Sequence, residues 1–158
     1  MRTRDRLSRR LAADRRGNLM IEFALALPIL FLLLVGLLDL GRFSLQKSAM
    51  LQGAREGAQY GILAPTDTAN INTTAQNATG LSGATATNSV FCECSSAPGT
   101  AVSCSTTCSS GATLRKYITV TTSGSFTSVM GAATTRFGSF GSWTPPTSVT
   151  ASVTMIVP

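Results

Sequence analysis

Residues 23–38 (Phe-Ala-Leu-Ala-Leu-Pro-Ile-Leu-Phe-Leu-Leu-Leu-Val-Gly-Leu-Leu) form a run of 16 uncharged, almost wholly apolar positions between Glu22 and Asp39. Extended to Leu19 and Leu40 it has 22 residues, about 33 Å of helix at 1.5 Å per residue. That length spans a hydrocarbon core of about 30 Å with both carboxylates near its ends. Beyond it, Leu40, Phe43, Met50/Leu51, Ala54, Ala58 and Ile62 recur every three to four residues, which predicts that the helix continues with one apolar stripe. Pro65 then stops it near residue 63. A second row, Gly53, Gly57 and Gly61, repeats at four-residue steps. Each Gly costs an exposed helix about 1 kcal/mol relative to Ala, so close approach of another backbone is the expected compensation. The partner is either the chain's own C-terminal part or another subunit.

Past Ala64 the pattern changes. Residues 64–90 read as a polar connection with a short helical piece. Tyr117–Thr121 and Val149–Val157 alternate and are rich in β-branched residues, so Val149, Ala151, Val153, Met155 and Val157 share one strand face. Ser125-Phe126-Thr127 adds a candidate short strand, and Phe137–Pro146 reads as a loop whose three aromatic residues either cap a small core or form a binding patch. The fold class expected is α+β: a long N-terminal helix packed on a small, disulfide-stapled antiparallel sheet.

Of the 158 residues, the first 17 hold seven Arg against Asp5 and Asp14. Five of the six net positive charges therefore reside in this leader, and a basic nucleic-acid-binding face is not expected. A basic leader directly before an apolar run predicts the N-terminus in the cytoplasm and everything after about residue 42 outside. The run ends in Asp39-Leu40-Gly41-Arg42, a poor outer cleavage site for a secretory signal. An uncleaved anchor is expected: leader 1–17, transmembrane helix 18–40, helical extension 41–63 and exported domain 64–158. That domain has 36 Ser/Thr and five charged residues among its 95, so it has little to bury and needs staples.

Cys92, Cys94, Cys104 and Cys108 supply them. An even cluster outside the cytoplasm implies disulfides, with three possible connectivities. A hairpin turning near Pro98-Gly99 favours the nested pairing of Cys92 with Cys108 and Cys94 with Cys104. The C-x-C-x9-C-x3-C spacing does not fit the usual zinc knuckle, and no C-x-x-C redox pair is present. The chain has no His, which removes His-based triads and His-ligated metals. No catalytic residue, metal site, cofactor or small-molecule substrate is expected.

Arg15-Arg16-Gly17, then Asn18-Leu-Met-Ile-Glu22-Phe23 at the mouth of the apolar helix, resembles a type IV prepilin cleavage signal. The resemblance implies a prepilin peptidase cutting between Gly17 and Asn18. Physically, the cut creates an α-amine with a pKa near ~8 four residues before Glu22. The helix dipole favours a carboxylate there, and the pair neutralises two charges that would otherwise stand unpaired in apolar surroundings. Together with Pro28, Gly36–Arg42 and Ala54-Arg-Glu-Gly-Ala-Gln-Tyr60, residues 13–61 resemble the TadE/TadG-like family, minor pilins or pseudopilins of the tight-adherence (Flp) pilus system. This implies a single-pass inner-membrane protein with a periplasmic domain, whose partners are other pilin-like subunits and the assembly machinery. Glu22 and Phe23 would then set subunit register. The TadG branch is generally not processed like TadE, so a permanently anchored periplasmic scaffold or binding protein is the alternative. Pro28 removes a hydrogen bond to the Ala24 carbonyl, a break that membrane helices tolerate. It is either an incidental kink or a flexible point that lets the helix leave the bilayer for a filament.

Overall fold

The computed structural model describes residues 15–109, 111–129, 131, 135–136 and 142–158. Most of the leader and the aromatics Phe137 and Phe140 lie outside them. The chain divides into two units, one ending at Leu40 and one spanning Gly41–Pro158.

Helix α1 (Arg15–Leu63) passes through Pro28 without a break in helical assignment. In the first unit the Leu, Ile, Met and Phe side chains from Leu19 to Leu38 stand open, between 48% and 77% exposed, and Val35 is half-buried. Among the described residues α1 is the one helix long and apolar enough to cross a membrane.

In the second unit α1 and α2 (Thr68–Thr79) form an antiparallel helical hairpin. Asp67 starts α2 by accepting the Asn70 N–H, and Gly80, in the left-handed region at φ 63°, ends it. The segment expected to be mainly a polar connection thus contains three turns of capped helix. It also contains the start of a strand, β1 (Thr85–Cys94). After it come β2 (Ala101–Val102), β3 (Leu114–Ser125), the short pair β4 (Thr135–Arg136) and β5 (Ser142–Trp143), and β6 (Ser148–Val157). The main sheet has the order β2-β1-β3-β6, antiparallel throughout. Ser125 closes β3, and Phe126 and Thr127 lie outside any strand, so the separate short strand expected there is absent. Ser142–Trp143, read from sequence as loop, pairs with Thr135–Arg136.

Alternation sorts the sheet into two faces. Ala86, Val90, Cys92, Ile118, Val120, Thr122, Val149, Ala151, Val153, Met155 and Val157 face the helices. Thr85, Thr87, Ser89, Thr119, Thr121, Ser123, Thr150, Ser152 and Thr154 share the opposite face, where Thr119–Thr154 and Thr121–Ser152 hydroxyl pairs bridge β3 and β6. The core is small. One cluster gathers Ala58, Ile71, Ala75, Ile118 and Val120, and another gathers Met50, Phe126, Val149 and Ala151. Phe43 meets Phe126 edge-to-face at 5.4 Å beside the second.

Candidate functional site

Two regions carry the residues singled out by sequence: the exposed half of α1, and the staples and glycine row of the second unit.

Gly17 and Asn18 lie in the first turn of α1. Glu22 is exposed one turn further on, with Phe23 62% exposed beside it. From there to Leu34 the helix is apolar on all sides and its large side chains stand uncovered. A soluble core helix would be buried, and a surface helix would carry a polar face. Exposed apolar surface of this extent needs a non-aqueous neighbour, either lipid or other helices. Residues 17–59 match the TadE-like protein family. No curated protein and no solved structure matches the chain. The TadE-like segment suggests involvement in the Tad pilus system, and it coincides with α1 from its first turn to the last buried turns of the second unit.

The glycine row is occupied from within the chain. A β-carbon built on Gly53 would come within 2.5 Å of the Ala75 carbonyl oxygen and of Thr79 Cγ2. On Gly57 it would lie 2.7 Å from Ala75 Cβ, and on Gly61 it would overlap Ile118 Cδ1. Met50, Ala54 and Ala58 are buried beside these glycines. The apolar stripe and the glycine row, distinct in the sequence, are therefore one packed face of α1. Leu40, assigned to the stripe, is exposed. Thr122 donates its hydroxyl to the Met50 carbonyl at 2.8 Å within this contact.

The disulfides are Cys92–Cys104 and Cys94–Cys108, not the nested pairs expected. The register explains the difference. Cys92 pairs with Val102 and Glu93 with Ala101, so the chain leaving β2 reaches Cys104 beside Cys92, not Cys94. It then turns at Ser103–Thr106 and returns toward Thr113 and Leu114, which face Ser95 and Cys94. Cys108 lies on that return. With all four sulfurs so engaged there are no free cysteines, and among the described residues no cluster of His, Cys, Asp or Glu could hold a metal.

Sequence reading missed Asp67. It joins the two helices: Asn70 donates to it from backbone and side chain, and the Tyr60 hydroxyl donates from α1 at 3.1 Å. The Asn70 hydrogen bonds hold its carboxyl below the usual range, and the bond to Asp67 raises the Tyr60 phenol. The available signal was an Asp directly before a Thr-initiated helix. A shallow cleft of about 480 Å³ lies between Gln46 and Ala49 of α1, Leu81, and Phe126. Its lining includes Arg42 and no carboxylate.

Proposed function

We propose that this protein is a non-catalytic, pilin-like component of a tight-adherence pilus or of its secretion machinery. In this reading α1 is anchor first and packing surface second. Residues 18–40 cross the inner membrane, and the stapled α+β unit lies in the periplasm, where its disulfides persist. The observation that carries it is the uncovered apolar half of α1 within the TadE-like match. The match begins at Gly17, the residue after which a prepilin peptidase would cut. Glu22 then stands at the fifth mature position, placed to neutralise the new amine of a neighbouring subunit.

A second reading is a permanently anchored periplasmic scaffold that keeps its leader. One feature favours it: the Gly17–Asn18 bond lies within the first helical turn, so cleavage requires that turn to fray. Mass spectrometry of the membrane-extracted chain separates the two. A mature N-terminus at Asn18, with or without N-methylation, supports the pilin-like reading; an intact Met1 or Arg2 start overturns processing. Glu22→Ala gives an independent test, since assembly fails while membrane insertion persists if the carboxylate sets register. Assembly unaffected by Glu22→Ala contradicts the pairing role.

A further inference from the structure

We infer that copies of this chain join edge to edge, β6 of one copy pairing in parallel with the uncovered part of β1 of the next, so that their sheets continue one another. Among the described residues β6 has one open side and β1, flanked by β2 at only two positions, is largely open on the other side of the sheet. Among the described residues β6 pairs only with β3, along ten positions from Ser148 to Val157. On the outer side of β1, β2 covers Cys92 and Glu93, and among the described residues no strand pairs with Thr85–Phe91 there. Soluble sheets guard such edges with charge, proline or bulges. Neither stretch has one: Thr-Ala-Thr-Asn-Ser-Val-Phe and Ser-Val-Thr-Ala-Ser-Val-Thr-Met-Ile-Val contain no charged residue and no Pro, and both pair with β3 in unbroken register.

The two edges also match in chemistry. Each presents mainly hydroxyls on the open face, with Phe91 and Ile156 at one end, and small or aliphatic groups on the helix face, apart from Asn88, which is tied to α2 through Thr68 and Asn72. On that inner face Ile118 and Val120 of the central strand are wholly buried, whereas Val90 on one edge and Val153 and Met155 on the other are only half covered. A neighbouring sheet extends the cover over these three residues. The hydroxyl rows that already bridge β3 and β6 continue onto Thr85, Thr87 and Ser89.

Direction selects head-to-tail pairing over a two-fold. Along α1 the partners on β3 run backward, from Thr122 at Met50 to Val120 at Gly57 and Ile118 at Gly61. This part of α1 therefore runs along β6 and β1. Parallel β6–β1 pairing leaves successive helices on one face and pointing the same way. Two β6 strands paired antiparallel about a two-fold would reverse one helix. Chains whose anchors enter one bilayer favour the first arrangement, and that choice rests on the membrane-anchored reading. Head-to-tail contacts also leave a free edge at each end, so the series extends until it closes on itself or runs on as a filament.

Hydrogen exchange on the full chain in proteoliposomes, at low and high protein density, tests this. At high density the amides of 85–91 and of 148–157 should slow together, roughly tenfold or more. Val153→Lys, which places a charge on the half-covered inner edge, should abolish the slowing at both edges while protection of 118–122 is retained. Slowing confined to 148–157 would show two-fold pairing and overturn the head-to-tail contact without touching the anchor. Unchanged exchange at both edges, or slowing that survives Val153→Lys, overturns edge pairing altogether. A chain that does not enter the liposomes fails the anchored reading instead, and with it the choice of direction.

Discussion

Gly53→Ala tests whether the glycine row is a packing device within the chain. In an isolated helix the change stabilises by about 1 kcal/mol. In this protein the new methyl meets the Ala75 carbonyl oxygen and Thr79 Cγ2 at 2.5 Å each, with the Thr79 nitrogen at 3.2 Å. Two of those three atoms are backbone of α2, so no rotamer change relieves the contact and the helices must separate. Overpacking of this kind costs about 1–3 kcal/mol, and a backbone obstacle puts the cost at the upper end. The net result is a loss of about 2 kcal/mol. For a unit of this size, that lowers the melting temperature by roughly 5–10 °C. Gly41→Ala is the control: nothing lies within 4 Å of its added methyl, so the propensity term acts alone and the melting temperature holds or rises. Thermal unfolding of the full chain in detergent, followed by near-UV circular dichroism, reads both. If Gly53→Ala raises the melting temperature as Gly41→Ala does, the row faces open space and the intramolecular contact is wrong.

The disulfide pairing makes an asymmetric prediction. Cys92→Ala with Cys104→Ala leaves one intact bridge and no alkylatable thiol, at a cost of about 3 kcal/mol for the closed loop lost. Cys92→Ala with Cys108→Ala strands Cys94 and Cys104, which alkylate or mispair; the opposite pattern by mass spectrometry would restore the nested connectivity. The Asp67 cap predicts an acid limb. A carboxyl held below its ordinary value of 3.8 contributes stability that is complete above that value and lost as the pH falls through the lower, folded one. Asp67→Asn keeps an oxygen at the cap but removes this part of the pH dependence, so wild-type and variant melting curves should converge on acidification. Curves that stay parallel from neutral pH to pH ~3 would show that the carboxylate is not held by Asn70 and Tyr60.

Much of the fold was legible because its signals are local. The apolar run, the stop at Pro65, the alternation of Val149–Val157 and the even cysteine cluster each report on a few neighbouring residues. The β1 strand was not legible, since Thr-Ala-Thr-Asn-Ser-Val is mostly polar and becomes a strand through ten pairings with β3. The crossed disulfides were hidden for a related reason: they depend on where β2 ends and the chain turns back, a register set by Cys92↔Val102. Gly53, Gly57 and Gly61 announced a close contact, and only the tertiary structure identified α2 and Ile118 as the other side. In the candidate site, Glu22 and the exposed helix were visible at once, because charge and hydropathy are properties of single residues. The Asp67 junction was not, since it requires Tyr60 and Asn70 to converge from two helices.

In the proposed arrangement an apolar helix holds the chain in a membrane while the stapled unit lies on the oxidising side. Differential alkylation of the four cysteines, performed on the chain from carbonate-washed membranes and from the soluble fraction of the same cells, tests it directly. The chain should be recovered in the washed membranes, with Cys92, Cys94, Cys104 and Cys108 taking up label only after reduction. Recovery in the soluble cytosolic fraction with all four thiols labelled before reduction would contradict it.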